Sequence, residues 1–455
     1  MGSFYVENFG CRATQADGAA IERQLAERGL SRATTATDAE VVVLNTCTVT
    51  AAADQDARAA IRRIHRANPA ARILVTGCYA QRAPREISEI AGVSLVIGNS
   101  HKHRLAEIAE GGGFVALGEL ASAPPVVAPV VVDDIFAHTE LLSAPVFDSD
   151  NEKTRPNLKV QDGCNNRCSF CVIPFVRGLS RSLPMDEVVR NVERLVANGY
   201  QELVVSGINL GRWGRDLRRD SRGDGTSDRA RFVNLLRTIL ERTSVPLLRI
   251  SSVEPMDWSD ELIALVASSP RIAPHAHVPL QSGSDRILRQ MHRRYRPWHY
   301  EDRIRRIRAA MPEAAIGADV MVGFPGETHE DFEQTRAFIE RLPFTYLHIF
   351  TYSSRPETPA SQMPAQVPVP LARQRNAVLR ELAARKKREF QEHFVGCTLA
   401  ALTLTNRSHG HTEALTGNYQ KLWLEGEIAA NRMLVSRIHS IEGDALVGEV
   451  VSSQQ

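Results

Sequence analysis

The chain has 455 residues, 43% of them hydrophobic and 24% charged. That composition excludes a disordered polymer, and the length exceeds the roughly 250–300 residues at which a single core stops growing, so several domains are expected. The formal net charge of +2 excludes nucleic-acid binding by bulk charge and leaves only local basic clusters for that role.

Met1-Gly2-Ser3-Phe4-Tyr5-Val6-Glu7 has no basic segment followed by an apolar one. No apolar run approaches the roughly 20 residues that span a bilayer. The expectation is a cytoplasmic protein with no membrane partner. Thiols stay reduced in that compartment, and an odd count of seven cysteines favours metal binding or catalysis over a disulfide framework.

The first hundred residues alternate strand and helix. Residues 4–9 read as a strand, and Asp17 can cap a helix running to Gly29. The run Val41-Val42-Val43-Leu44 within 40–46 is a buried strand, 52–67 is a helix stopped before Pro69, and 72–76 is a third strand. This rhythm predicts an α/β domain with a doubly wound parallel sheet. Gly111-Gly112-Gly113 and Ala123-Pro124-Pro125 then have linker composition, although Val130-Val131-Val132 could form a strand.

From 154 to 360 six strands are expected, at 158–162, 202–206, 247–251, 275–280, 316–322 and 346–352. Helices lie between them, including 185–198 before Gly199 and 232–242. Six strand–helix units predict a partly open (β/α)6 barrel. A Gly-, Ser- and Asp-rich insertion at 218–229 reads as a loop. A basic helix at 371–394 precedes short strands at 399–403, 419–424 and 445–450, the pattern of a small β-barrel.

Two basic clusters stand out. Residues 286–308 hold nine arginines, and Arg385-Lys386-Lys387-Arg388 follows further on. Each is either a phosphate-binding patch or a solvated helix face.

The strongest chemical signal is Gly163-Cys164-Asn165-Asn166-Arg167-Cys168-Ser169-Phe170-Cys171. Three thiolates spaced Cys-x3-Cys-x2-Cys can hold a 4Fe–4S cluster that normally takes four, which leaves one iron open. The competing reading is a three-thiolate zinc site completed by a histidine. Cys11, Cys47 and Cys78 form a second set, each just after a strand of the first domain. Ligands of parallel α/β sheets gather outside the carboxyl ends of the strands, so these three can converge. Singly, each reads as a small buried hydrophobe. Cys397 fits neither set.

The Cys164/Cys168/Cys171 stretch resembles the cluster motif of radical S-adenosylmethionine enzymes. With Cys11, Cys47 and Cys78 it resembles the methylthiotransferases among them, over nearly the whole chain. Other matching stretches begin at Pro174, Val278, Gly323 and Tyr352, the last departing from the family's pattern at Ser354 and Glu357. The resemblance implies a methylthiotransferase domain at 1–115, a linker at 116–151, a radical domain at 152–385 and a TRAM-like RNA-binding β-barrel at 386–455. It implies two 4Fe–4S clusters, on Cys164/Cys168/Cys171 and on Cys11/Cys47/Cys78, with S-adenosylmethionine as cosubstrate. Cys164, Cys168 and Cys171 would carry the reductive cleavage to a 5′-deoxyadenosyl radical, and the other cluster the sulfur.

Strand ends on the barrel rim are the expected cofactor contacts: Ser206, Gly207, Ser251, Glu254, Gln281, Asp319 and Val322. The stretches at Val160, Gly207 and Ser251 resemble enzymes acting on threonylcarbamoyladenosine. That implies addition of a methylthio group to C2 of adenosine 37 in the tRNA anticodon loop, with an electron donor such as a flavodoxin-type reductant. Isopentenyladenosine as substrate, or a non-catalytic iron–sulfur RNA-binding protein, are the alternatives. A polar pocket for the threonylcarbamoyl group would draw on Arg177, Asn209 and Arg355, and Lys386, Lys387 and Arg388 would grip the phosphate backbone.

Overall fold

The computed structural model describes residues 2–111, 127–138, 141, 154–217 and 231–453. Most of the expected linker and the insertion at 218–229 lie outside them. The chain divides into two compact units. One comprises Met1–Val146, Gln161–Leu183 and Ser353–Thr358, and the other comprises Phe147–Val160, Pro184–Tyr352 and Pro359–Gln455. No helix among the described residues is long and apolar enough to cross a membrane.

The first unit is built on a parallel sheet in the order Ser31–Arg32, Ser3–Asn8, Val41–Thr46, Arg72–Gly77, Val93–Gly98, Val130–Val131. In Val41–Thr46 successive side chains point to opposite faces. Val42 and Leu44 pack with Ala57, Ile61 and Ile64 of the helix Ala51–Ala67. Val43 packs on the other side with Ile21 and Leu25 of the helix Arg12–Glu27. A strand covered on both faces reads as a continuous apolar run, which is why Val41-Val42-Val43-Leu44 was legible. Thr50 caps the second helix by accepting from the Ala53 amide at 3.2 Å. Asp17 caps nothing. The helix starts after Cys11, and Asp17 lies inside it, buried and ion-paired.

In the second unit all six expected strands of the α/β part form, at Asn157–Asp162 (which runs on into the first unit), Glu202–Gly207, Leu247–Ile250, His275–His277, Ala315–Val322 and Tyr346–Thr351. Glu202–Gly207 and Leu247–Ile250 pair in parallel, as do the last three strands. Between Leu247–Ile250 and His275–His277 the ladder shrinks to one isolated bridge, Leu248–Ile272. His275–His277 is shorter than the expected 275–280 because Pro274 and Pro279 bracket it and neither has an N–H to donate. Helices Met185–Ala197, Phe232–Arg242, Asp260–Ser268, Pro297–Ala310 and His329–Arg341 connect the strands. Thr328 and Asp331 form a reciprocal capping box at the start of the last of these.

The helix Val369–Glu392 leads to a closed five-stranded barrel in the order Thr398–Ser408, His411–Thr416, Lys421–Glu425, Ala445–Ser453, Met433–Glu442. Ala401, Ala414, Leu422, Leu424, Leu434, Ile438 and Leu446 fill it. The loop between its second and third strands meets the α/β strands. Arg249 donates to the carbonyls of Gly417 and Thr416 at 3.0 and 3.2 Å. Tyr419, at φ +64°, lies against His275 with ring centroids 4.6 Å apart and against Tyr346 at 5.5 Å.

The Arg249 guanidinium is itself buried and needs a counter-charge, which Glu202 supplies at 2.6 Å from a position with no solvent exposure. Burial would raise the Glu202 carboxyl, but Arg249 and Arg155 outweigh it and hold the group below its ordinary value. Removing one partner of such a pair strands the other. Arg249→Met is therefore expected to destabilise the protein by about 3–5 kcal/mol, read as a lower denaturant midpoint. Arg249→Met combined with Glu202→Leu should recover most of that loss. A double variant no better than the single would contradict this account of the contact.

Candidate cluster sites and the barrel rim

Cys11, Cys47 and Cys78 follow the strands Ser3–Asn8, Val41–Thr46 and Arg72–Gly77, which are consecutive neighbours in the first sheet. Neighbouring strands lie about 4.8 Å apart, so three thiols leaving three adjacent strand ends fall in one small region. Two glycines with positive φ make the turns. At Gly10 (φ +97°) a Cβ would lie 2.8 Å from Cys47 Sγ, and at Gly77 (φ +100°) a Cβ would lie 2.3 Å from the Thr46 carbonyl oxygen. Any larger residue at Gly10 would push the thiols apart.

The thiols sense one another. Burial, then the neighbouring Cys78 thiolate, push the Cys47 thiol up to about 12, with Cys11 adding to the rise, against a backbone N–H at Val49 and the Arg177 charge. Cys78 Sγ accepts from Asn99 Nδ2 at 3.5 Å, and the same amide donates to the Val176 carbonyl at 2.7 Å. Cys11 Sγ and Thr14 Oγ1 lie 3.6 Å apart. Mutual thiolate repulsion of this kind would be relieved by a bound cation, with release of protons.

In the second motif Gly163 (φ +70°) turns the chain beneath Leu179, whose carbonyl oxygen would be 2.0 Å from an added Cβ. The Cys164 amide donates to Gly178 at 3.0 Å and the Cys171 amide to Cys168 at 3.1 Å. The Asn166 amide donates to Cys164 Sγ at 3.4 Å, and Asn165 Oδ1 accepts from the Ser180 amide at 2.9 Å. These bonds close residues 163–180 into a loop whose three thiols remain partly exposed.

Among the described residues no three His, Cys, Asp or Glu side chains are placed to hold a metal ion. A single tetrahedral zinc would need sulfurs within about 3.8 Å of each other, given Zn–S bonds of about 2.3 Å. A polynuclear cluster binds each thiolate to a different iron and wants them further apart. Two sets of three thiols match the donor class of iron–sulfur clusters with one iron left open.

Both loops are fixed by buried charges. Arg177, 2% exposed, donates from Nη1 to both Asp162 oxygens at 2.9 and 3.0 Å and from Nη2 to Asp17 at 3.0 Å. Lys102, also buried, reaches the same Asp17 oxygen at 3.0 Å. A second network surrounds Asp54, which pairs with Arg82 at 2.9 Å and with Arg355, while Thr48 beside Cys47 donates to it at 2.6 Å. Arg177 and Arg355 are thus committed to carboxylates, while Asn209 is buried in the other unit. The sequence reading missed Thr14, Asp54, Arg82, Asn99 and Lys102. Arg82, Asn99 and Lys102 meet their partners only through the fold, whereas Thr14 lies three residues from Cys11 and Asp54 six from Thr48, contacts that no motif flags.

The rim residues stand at the carboxyl ends of the strands. Ser206 and Gly207 close one strand, with Ser206 Oγ buried and without a hydrogen-bond partner. Ser251 follows the next strand. Gln281, at φ +66°, pairs with the Ala315–Val322 strand, its amide donating to the Asp319 carbonyl at 2.8 Å. The Asp319 carboxylate lies 3.4 Å from His277 Nε2, and His277 Nδ1 is 2.6 Å from Ser252 Oγ. The Glu254 carboxylate pairs with the buried Arg293, and the Val322 side chain is buried, which leaves its backbone as the group it can offer.

The basic clusters also resolve. Arg286 pairs with Asp331, Arg289 and Arg296 with Asp285, Arg303 with Asp260, Arg305 with Glu301 and Arg306 with Asp302, while Arg308 donates to backbone carbonyls. The stretch behaves mainly as a paired helix face. In the second run Arg385, Lys387 and Arg388 pair with Glu340, Asp444 and Glu392. Lys386 is buried, its Nζ donating to the Leu342 carbonyl at 2.9 Å and its ammonium pushed below its ordinary range by burial.

Comparison with known proteins agrees with this architecture. Residues 3–98 match the family described as Uncharacterized protein family UPF0004, and residues 158–339 match the Radical SAM superfamily. The threonylcarbamoyladenosine tRNA methylthiotransferase of Aquifex aeolicus is 37% identical over 92% of this chain and 96% of its own. That of Bacillus subtilis is 35% identical over 94% and 91%. The tRNA-2-methylthio-N(6)-dimethylallyladenosine synthase of Saccharopolyspora erythraea is 32% identical over 99% and 87%. Among solved structures, the radical S-adenosylmethionine methyltransferase TsrM of Kitasatospora setae, with cobalamin and a 4Fe–4S cluster bound, superposes with a TM-score of 0.55 over 79% of this chain and 76% of its own at 18% identity, a likeness of fold. The chain belongs to the radical S-adenosylmethionine methylthiotransferase family.

Proposed function

We propose that this protein adds a methylthio group to C2 of threonylcarbamoyladenosine 37 in tRNA, by radical S-adenosylmethionine chemistry. The observation that carries the reading is the arrangement of Cys11, Cys47 and Cys78 at three adjacent strand ends, in a chain 37% identical over nearly its full length to an enzyme named for that reaction. Cys164, Cys168 and Cys171 would hold one 4Fe–4S cluster and Cys11, Cys47 and Cys78 the other. When bound, these groups supply reductive cleavage of S-adenosylmethionine and a carrier for sulfur.

The chain's own residues bind and orient. Ser206 Oγ, buried with nothing to bond, is suited to a cosubstrate polar group, and Gly207, Ser251, Gln281 and Asp319 offer backbone and side-chain partners along the same strand ends. His277, hydrogen-bonded to Ser252, brings its Nε2 to 3.4 Å from the Asp319 carboxylate. Gly163 and Gly178 hold the Cys164 loop closed.

The C-terminal barrel is assigned to the RNA. On its Lys421–Glu425 strand, Lys421 Nζ lies 4.7 Å from the centroid of the Trp423 ring, which pairs a cation with a stacking surface as single-stranded RNA requires. A target base in an anticodon loop can be splayed out at low cost. A flavodoxin-type donor in the cytoplasm would supply the electron.

Anaerobically reconstituted protein is expected to hold about eight irons, four per cluster. Changing Cys164, Cys168 and Cys171 together to Ala should leave about four and abolish 5′-deoxyadenosine formation. Single Ala variants of Cys11, Cys47 or Cys78 should still form 5′-deoxyadenosine but add no methylthio group. Full methylthiolation by all three would reduce them to packing thiols. In a competition between tRNAs bearing threonylcarbamoyladenosine and isopentenyladenosine, the first should be modified preferentially. Preference for the second would overturn the substrate and leave the chemistry standing.

A further inference from the structure

Arg177 is a heavily engaged side chain beside the two thiol sets. It sits in the segment that follows Cys164, Cys168 and Cys171, yet its partners include Thr14 (3.5 Å) and Asp17 on the helix that begins after Cys11. Burial alone would weaken its charge, but Asp162, Cys78, Asp17 and Cys11 outweigh that and hold the guanidinium protonated well above its ordinary value. Its Nε is buried with no hydrogen-bond partner. The charge is therefore permanent, shielded from water and close to the thiols that follow the sheet.

Among the described ion pairs here, Arg177 and Lys102 carry two positive charges and Asp17 and Asp162 two negative ones. In a site closed to water, deleting one member leaves a full uncompensated charge. A reduced cluster carries one more negative charge than an oxidised one, so a nearby positive charge favours reduction and a negative one opposes it. Net charge and hydrogen bonding around the sulfurs are the protein's means of setting such potentials.

We propose that Arg177 is a positioning residue that sets the reduction potential of the cluster on Cys11, Cys47 and Cys78, an inference that rests on the cluster assignment above. Asp17 opposes it. The two residues thus act with opposite sign on one property, which a purely structural role would not produce.

The test uses full-length protein in which Cys164, Cys168 and Cys171 are Ala, so that one cluster gives the whole signal. It is reconstituted anaerobically and titrated with a chemical reductant while the reduced cluster is followed by electron paramagnetic resonance. Adding Arg177→Gln should move the midpoint to more negative potential by at least a tenfold change in the reduction equilibrium, about 59 mV for one electron. Adding Asp17→Asn should move it to more positive potential, and Arg177→Lys, which keeps the charge, should stay nearer the parent. Unchanged midpoints, or shifts of the same sign in Arg177→Gln and Asp17→Asn, would overturn the inference while the cluster assignment stands. If Arg177→Gln takes up no iron, the sign of the Asp17→Asn shift decides. Failure of both to take up iron assigns Arg177 to folding alone and overturns the inference. A parent protein that forms no cluster defeats the assignment and the inference with it.

Discussion

A guanidinium in a protein interior costs several kcal/mol unless carboxylates meet it, and the first unit is organised around meeting that demand at Arg177. Asp162 ends the strand that leads into Gly163-Cys164, and Asp17 lies one turn and a half into the helix that Cys11 begins. For both to reach one planar fork, residues 163–178 must close onto that helix. Asn99 ties the same segment to Cys78 through the Val176 carbonyl, and Val172 and Val176 pack on Cys78. The consequence is that six of the seven cysteines belong to one compact unit, although Cys11 and Cys171 lie far apart in sequence. The same logic recurs where Asp54, Arg82 and Arg355 meet beside Cys47.

The strands were legible because burial on both faces forces unbroken apolar runs such as Val41-Val42-Val43-Leu44, and because Gly and Pro punctuate them. The cysteines were legible from spacing in one set and from their place after strands in the other. The buried charges were not. Asp17 was read as a helix cap because a short acidic side chain near an expected helix start usually is one. Its partners Lys102 and Arg177 lie 85 and 160 residues away, beyond any local pattern. The arginines of 286–308 left two readings open in sequence, and the structure favours the solvated helix face. Arg305–Glu301 and Arg306–Asp302 are four-residue helix pairs that could have been counted from sequence, but Arg286–Asp331 and Arg303–Asp260 need the fold. Lys386 shows that a basic run on an amphipathic helix can turn one member inward.

The C-terminal barrel is joined to the α/β part of its unit by more than chain connectivity. Arg249, Glu202, Tyr419, His275 and Tyr346 make a polar and aromatic floor beneath the strands whose opposite ends carry Ser206 and Ser251, with Asp319 midway along its strand. His277, two residues beyond His275 on the same face, stacks with Tyr346 at 5.9 Å and approaches Asp319. The C-terminal barrel is thereby tied to the α/β strands of its unit by buried charge and stacked rings as well as by the chain.

The central claim is that these cysteine sets serve one reaction, on one modified adenosine. It is tested most directly by mass spectrometry of tRNA nucleosides from cells with and without the gene. The account predicts that the methylthio form of threonylcarbamoyladenosine disappears in the deletion, that its unthiolated precursor accumulates, and that the plasmid-borne gene restores it. An unchanged nucleoside profile in the deletion would contradict the account.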